Sequence, residues 1–184
     1  MGQVRVDQLQ QEYDVVVEWR AYLLAPDTPP EGRPYPFPPE VREQRSAGVR
    51  QMAAGVGLPL GDRDWVSNSR AALEAAEFAR DQGLFDPFHR AVFTAYHAEG
   101  RDIGNHEVLQ EIATSVGLDA GAMTAALREG RYTSRVEEDL DMSRQIGLTG
   151  VPAFIIGNRA IVGAQPYNVF EYVMELLGRE KLAG

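Results

Sequence analysis

The hydrophobic period of this 184-residue chain changes once, near Gly147, and the place of that change restricts the folds open to it. From Pro39 to Ile146 apolar residues recur at helical spacing, with no strand expected inside the block. Val41, Val49, Met52, Ala53 and Val56 mark a first helical face that ends around Gly55 to Pro59, and Ala72, Leu73, Ala76 and Ala79 mark a second from Ser69 to Gln82. Asp86-Pro87 reads as an N-cap followed by a proline, opening a helix with Phe88, Val92, Ala95 and Tyr96 inward. Asn105 and Asp119 start the next two helices, and Tyr132, Val136, Leu140 and Ile146 belong to the last.

Past Gly147 the spacing becomes that of short strands. Ala153 to Ile156 and Ala160 to Val162 are apolar runs joined by Gly157-Asn158, a pair tolerant of positive φ, and this predicts a β-hairpin. Pro166 then opens a closing amphipathic helix through Val169, Phe170, Val173, Met174 and Leu177. At the other end, Val4 to Gln11 fits the tail of a helix. Val15, Val17, Trp19, Ala21 and Leu23 alternate with a mixed face, which predicts a strand covered mainly on one side. Between that strand and the helical block, residues 26–39 hold seven of the eleven prolines, and neither helix nor ladder is expected there.

Composition removes several functions. A net charge of −9 and a pI near 4.8 oppose nucleic-acid binding, which needs a basic stripe to displace counterions. Met1 to Gln11 lacks an apolar signal-like run, and no segment has the length of a membrane span, so a soluble, cytoplasmic protein is expected, with no membrane partner. The absence of cysteine excludes disulfides, thiolate metal sites and a cysteine nucleophile within these residues.

Other constellations are weak. His89, His97 and His106 read as partly exposed helix histidines without the close partners a metal needs. Glu137, Glu138, Asp139 and Asp141 read as a solvated helix face. Gly55-Val56-Gly57 lacks a preceding strand and a third glycine for a nucleotide loop, and Ser67, Ser69 and Ser143 lack a nucleophile elbow.

The strings Asn68-Ser69-Arg70-Ala71-Ala72-Leu73, Gly100-Arg101-Asp102-Ile103-Gly104, Thr149-Gly150-Val151-Pro152-Ala153-Phe154 and Gly163-Ala164-Gln165-Pro166 carry a resemblance. They resemble the DsbA-type thioredoxin-like proteins of the FrnE-like and 2-hydroxychromene-2-carboxylate isomerase-related branch. The resemblance runs from about Val4 to Leu177 and implies an α/β, thioredoxin-like core with an inserted helical domain. Residues 1–38 would form the first part of that core, 39–146 the helical insertion, and 147–184 the closing part with its cis-proline loop, hairpin and helix.

Family members carry Cys-x-x-Cys at the start of the first helix. Met1-Gly2 fits the residues just after the second cysteine, so the expectation is a longer protein whose start was placed at an internal methionine, with a relic lacking the motif as the other reading. No catalytic residue and no metal ligand is assigned. Gly150, Val151 and Pro152 are the expected substrate-binding residues, with a cis Val151–Pro152 bond whose preceding backbone pairs with an extended substrate. Trp65 and Asn68 are expected to line a cleft facing Pro152.

The implied activity is thiol–disulfide exchange on an extended polypeptide or a small thiol or disulfide, without a cofactor. One alternative is a glutathione-dependent isomerase or transferase; another is a non-catalytic peptide-binding module. The family's first strand lies between the strands expected at Val15–Leu23 and Ala153–Ile156. Made alone, the chain is therefore expected to be marginally stable, to exchange into a homodimer, or to aggregate.

Overall fold

The computed structural model describes residues 1–183. Helix α1 (Gly2–Glu12) buries Val6 and Leu9 and ends at Tyr13, whose φ of −136° turns the chain into extended backbone. A proline-rich loop then leads through strand β1 (Arg33–Pro34) to α2 (Pro39–Ala54). Strand β2 (Trp65–Val66) precedes five helices: α3 (Arg70–Asp81), α4 (Phe85–His97), α5 (His106–Ser115), α6 (Ala120–Arg128) and α7 (Thr133–Gln145). The chain closes with β3 (Ala153–Ile156), β4 (Arg159–Val162) and α8 (Tyr167–Leu176).

Three apolar clusters follow from this order. The largest joins α3, α4, α5 and α6 around Phe78, Phe88, Leu109, Ile112 and Met123. The second packs α1 (Leu9, with Tyr13 just beyond it), the hairpin (Ile161, with Phe154 and Ile156) and α8 (Phe170, Val173, Met174) into one small core. Strict alternation on β3 explains the division of its side chains. Phe154 and Ile156 join that core, whereas Ile155 points away and is 61% exposed. The third cluster is Ala21 against Val136 and Leu140, which seats the segment after α1 on α7.

That segment departs from the sequence expectation. Residues 15–21 keep the alternating burial of a strand, down to Val16 at 98% exposure, but no ladder forms on them among the described residues. Side chains stand in for a neighbouring strand: the Ala21 N–H donates to Asp139 Oδ2 at 2.7 Å, and Arg80 Nη2 donates to the Trp19 carbonyl at 2.9 Å. Hydrophobic alternation reports which side is covered and carries no information about what occupies the edges.

Smaller departures have local causes. The proline-rich stretch does form a ladder, Arg33 opposite Val66 and Pro34 opposite Trp65, continued by Tyr35 N–H to the Asp64 carbonyl at 2.7 Å. The same pairing places a strand inside the helical block, too short to show a period. Gly32, at φ +79°, lets the loop pass against Trp65, where any Cβ would collide with the indole. Helix α4 starts at Phe85, so Asp86 lies in its first turn and caps nothing, although its charge suits the helix N-terminus. In the hairpin turn only Gly157 takes positive φ, at +58°, and Asn158 does not. Asn105 and Asp119 do cap their helices, accepting from Glu107 N at 2.8 Å and Ala122 N at 2.9 Å. The acidic run on α7 is not wholly solvated: Asp139 is 4% exposed and is spent on Ala21 and Arg20.

Candidate substrate-docking site

Helix α7 stops at Gly147, whose φ of +68° lets the Leu148 N–H return to the Ser143 carbonyl at 2.9 Å. The chain leaves that cap through Gly150 into Val151–Pro152, a cis peptide in the structure. The Pro152 carbonyl accepts from Gly163 N at 2.8 Å, which extends the β3–β4 ladder by one step and fixes the loop to the far end of the hairpin. Val151 is left 48% exposed, and neither its N–H nor its C=O is bonded among the described residues. A short stretch of backbone is thereby offered to an incoming chain.

Helix α1 supplies the opposite wall. Gly2 lies so close to Pro152 that a Cβ on it would stand 2.9 Å from Pro152 Cβ and 3.5 Å from Phe154 Cζ. Arg5 Nε donates to the Gln165 carbonyl at 3.1 Å, tying the same helix to the turn after β4.

Helix α4 is tied to α1 by an ion pair. Arg90 grips Asp7 through two bonds, at 2.6 and 3.0 Å, and holds the Asp7 carboxyl below the usual carboxylate range. Farther along α4, burial pushes His97 down to about 4, with Arg63 and the Met1 ammonium adding to the effect. Burial does the same to His89, also to about 4, against the pull of Asp86 and with help from Arg90 and Arg80. Both imidazoles are therefore neutral at pH 7. They belong to a stack of rings spaced four residues apart: Phe85 to His89 at 5.2 Å, His89 to Phe93 at 4.5 Å, and Phe93 to His97 at 5.4 Å. Trp19 adds to it, 4.6 Å from His89. His89 and His97 keep the partial exposure expected of them; the i, i+4 spacing of the four rings was the signal in the sequence for their stacking.

Of the five expected site residues, the structure brings Gly150, Val151 and Pro152 together in the loop facing α1. Trp65 lies in the β1–β2 ribbon instead. Asn68 joins two other elements, donating to the Thr28 carbonyl at 2.8 Å and accepting from Arg70 N at 3.0 Å. Asn68 also lines a cleft of about 230 Å³ with Pro30, Arg70, Glu74 and His106, and Pro152 is not part of its lining. The residues that sequence reasoning missed are Asp139 and Arg80, which hold the extended segment.

The arrangement leaves the Val151 backbone open beside the α1–Pro152 contact. It contains no thiol, because the chain has no cysteine.

Comparison with known proteins gives the same architecture. The family model of the DSBA-like thioredoxin domain matches residues 1–175. The uncharacterized protein YwbO of Bacillus subtilis is 29% identical over 161 residues, spanning 86% of this chain and 80% of its own. A probable DsbA oxidoreductase, SCO1869 from Streptomyces coelicolor, superposes with a TM-score of 0.86 at 24% identity, over 100% of this chain and 86% of that one. A 2-hydroxychromene-2-carboxylate isomerase superposes with a TM-score of 0.75 at 18% identity, over 96% and 87% of the two chains. At these identities the two superpositions show the fold, a thioredoxin-like core carrying a helical insertion. With the family model matched over nearly its whole length, the chain belongs to the DSBA-like thioredoxin domain family.

Proposed function

We propose that residues 1–184 are the substrate-holding part of a DsbA-type thiol–disulfide oxidoreductase acting on extended polypeptides. The observation that carries this reading is the contact of the α1 N-terminus, at Gly2, with Pro152. The free backbone of Val151, beside that contact, receives a substrate strand. The attacking sulfur has to come from outside these residues, since a methionine thioether neither ionises nor exchanges. The fold shared with 2-hydroxychromene-2-carboxylate isomerase keeps glutathione chemistry as the alternative ligand class at the same loop.

The intact mass of the protein taken from its source, before and after alkylation of reduced thiols, tests the reading. A mass above 20.3 kDa that gains two alkyl groups supports it. A mass of 20.3 kDa that gains none overturns it in favour of a docking module without chemistry. Retention on immobilised glutathione without two alkylated thiols favours the isomerase or transferase alternative.

A further inference from the structure

Three carboxylates are buried among the described residues, and only two of them are neutralised. Asp139 is met by the Arg20 guanidinium at 3.0 Å. Glu77 is met by two guanidiniums, Arg80 at 3.1 Å and Arg135 at 3.3 Å. Glu74, three residues earlier on α3 and only 7% exposed, forms no ion pair among the described residues; Arg70, four residues before it on the same face, is held by Glu137 at 2.6 Å. The one side chain that bonds Glu74 is Thr133, whose hydroxyl donates to Oε1 at 3.2 Å. A neutral hydroxyl returns only part of the hydration that a buried carboxylate has lost. Thr133 opens α7, an end that no side chain caps, and the roughly half elementary charge of a helix N-terminus still falls short of a whole one.

What distinguishes Glu74 from the other two is that it lines the cleft of about 230 Å³. Its Oε2 accepts no hydrogen bond from the described residues and is not among the polar atoms sealed inside the fold. The other polar groups of the lining are mostly engaged: Asn68 bonds the Thr28 carbonyl and the Arg70 N–H, and Arg70 bonds Glu137. Ala71 and Leu127 add apolar wall, and exposed Pro30 and His106 complete the lining. Gly104 is packed so closely on Asn68 that a Cβ would stand 2.9 Å from the Asn68 carbonyl oxygen. The space holds about seven water-sized groups at roughly 30 Å³ each. A metal ion would need more ligands, and no group of three or more histidine or carboxylate side chains able to hold one exists among the described residues.

We infer that this cleft binds a primary ammonium group carried on a short aliphatic stem, either a free alkylamine or a lysine side chain. The ammonium donates to Glu74 and supplies the cation that Asp139 and Glu77 find within the fold, while the stem lies against Ala71 and Leu127. An ammonium suits the place better than a planar guanidinium, because a single carboxylate at the end of a narrow space meets a compact point charge. Pro152 does not line the cleft, so the site is separate from the Val151–Pro152 loop and independent of the chemistry that loop serves. Until the amine arrives, the lone carboxylate costs the free chain stability that binding returns.

Titration of the isotope-labelled chain with butylammonium chloride at constant ionic strength, with butan-1-ol as the uncharged counterpart, tests the inference. Butylammonium is expected to shift the Ala71, Glu74 and Gly104 amides and to bind about tenfold more tightly than the alcohol, the size of one hydrogen bond to a charged group. Glu74→Gln keeps the shape and removes the charge. It should erase that preference, and its urea midpoint without amine should be no lower than that of the unaltered chain. Absence of any shift, equal binding of the alcohol, or a preference that survives Glu74→Gln overturns the inference. So does a midpoint that falls in Glu74→Gln, since the carboxylate would then be satisfied within the fold. An unstructured peptide carrying one lysine identifies the source: binding tighter than that of butylammonium at the same amides assigns the site to a lysine side chain, and weaker binding assigns it to a free amine.

Discussion

Gly2 and Pro152 are packed so closely that no side chain fits between them: a Cβ on the glycine would stand 2.9 Å from the proline Cβ. Two effects of Gly2→Ala oppose each other. Alanine gains up to about 1 kcal/mol over glycine inside a helix, but Gly2 is the first helical residue and gains less. Overpacking against a rigid ring costs about 1 to 3 kcal/mol, so the packing term wins. The expected result is a lower urea midpoint together with shifted Val151 and Ala153 amides. An unchanged or higher midpoint would show that α1 and the loop are free to part.

The half-buried histidines give the fold a pH dependence with a defined window. His89 and His97 are pushed to about 4, chiefly by burial, from an ordinary value of 6.5. Above pH 6.5 both are neutral in either state, so their contribution to stability is whole. As pH falls toward 4 the unfolded chain takes up protons that the folded chain refuses, and stability drops by on the order of 2 to 3 kcal/mol per histidine. Urea midpoints measured from pH 7.5 to 4 should show this fall, and His89→Phe should flatten it by about half.

Asp139 is the anchor of the extended segment. Asp139→Ala leaves the Ala21 N–H without its acceptor and Arg20 with Glu18 alone, at a cost of about 2 to 4 kcal/mol. Asp139→Asn keeps one acceptor oxygen and should recover part of that loss. Amide exchange at Ala21 distinguishes local release from global loss, rising far more than exchange in α3 or α5 if the segment alone is freed.

The Asp7–Arg90 pair ties α1 to α4 across two of the three clusters of the molecule. Its partners are 32% and 50% exposed, so solvent screening limits its worth to about 1 kcal/mol. A double-mutant cycle of Asp7→Asn and Arg90→Gln should give a coupling of that size at neutral pH. Because the Asp7 carboxyl is held below its ordinary value, the coupling is present above the ordinary carboxylate range and vanishes as the pH falls through the lowered value. High salt should reduce it as well.

The unpaired backbone along residues 15–18 and the outer edge of β3 predict concentration-dependent association of the isolated chain. Light scattering across a dilution series is expected to show a dimer or larger species. A monomer with a cooperative, reversible melt overturns this expectation.

Elements with a strong period were legible in the sequence because burial alone decides them. The five helices α3 to α7, the hairpin and α8 fall where the apolar spacing places them, and the side-chain caps at Asn105 and Asp119 were readable from residue type. Residues whose role is set by a distant partner were not legible. Asp139 stands in an acidic run and looks solvated until Ala21, 118 residues earlier in the chain, needs an acceptor. Trp65 and Pro34 pair across the proline-rich loop over two residues, too few for any period to appear. For the site, the Gly150–Pro152 loop was readable from its motif. The contact with Gly2 depends on how α1 and the hairpin come together.

Arg80 and Asp139 have one further consequence. In extended backbone the N–H and C=O groups of residues 19 and 21 point to the same side, and those of 16, 18 and 20 to the other. The first side is fenced by charged side chains that satisfy it without presenting a template to anything else. The second has no such fence, and Val16 stands open on it. Beside residues 19 and 21, a strand that adds to this segment can therefore pair only on the second side.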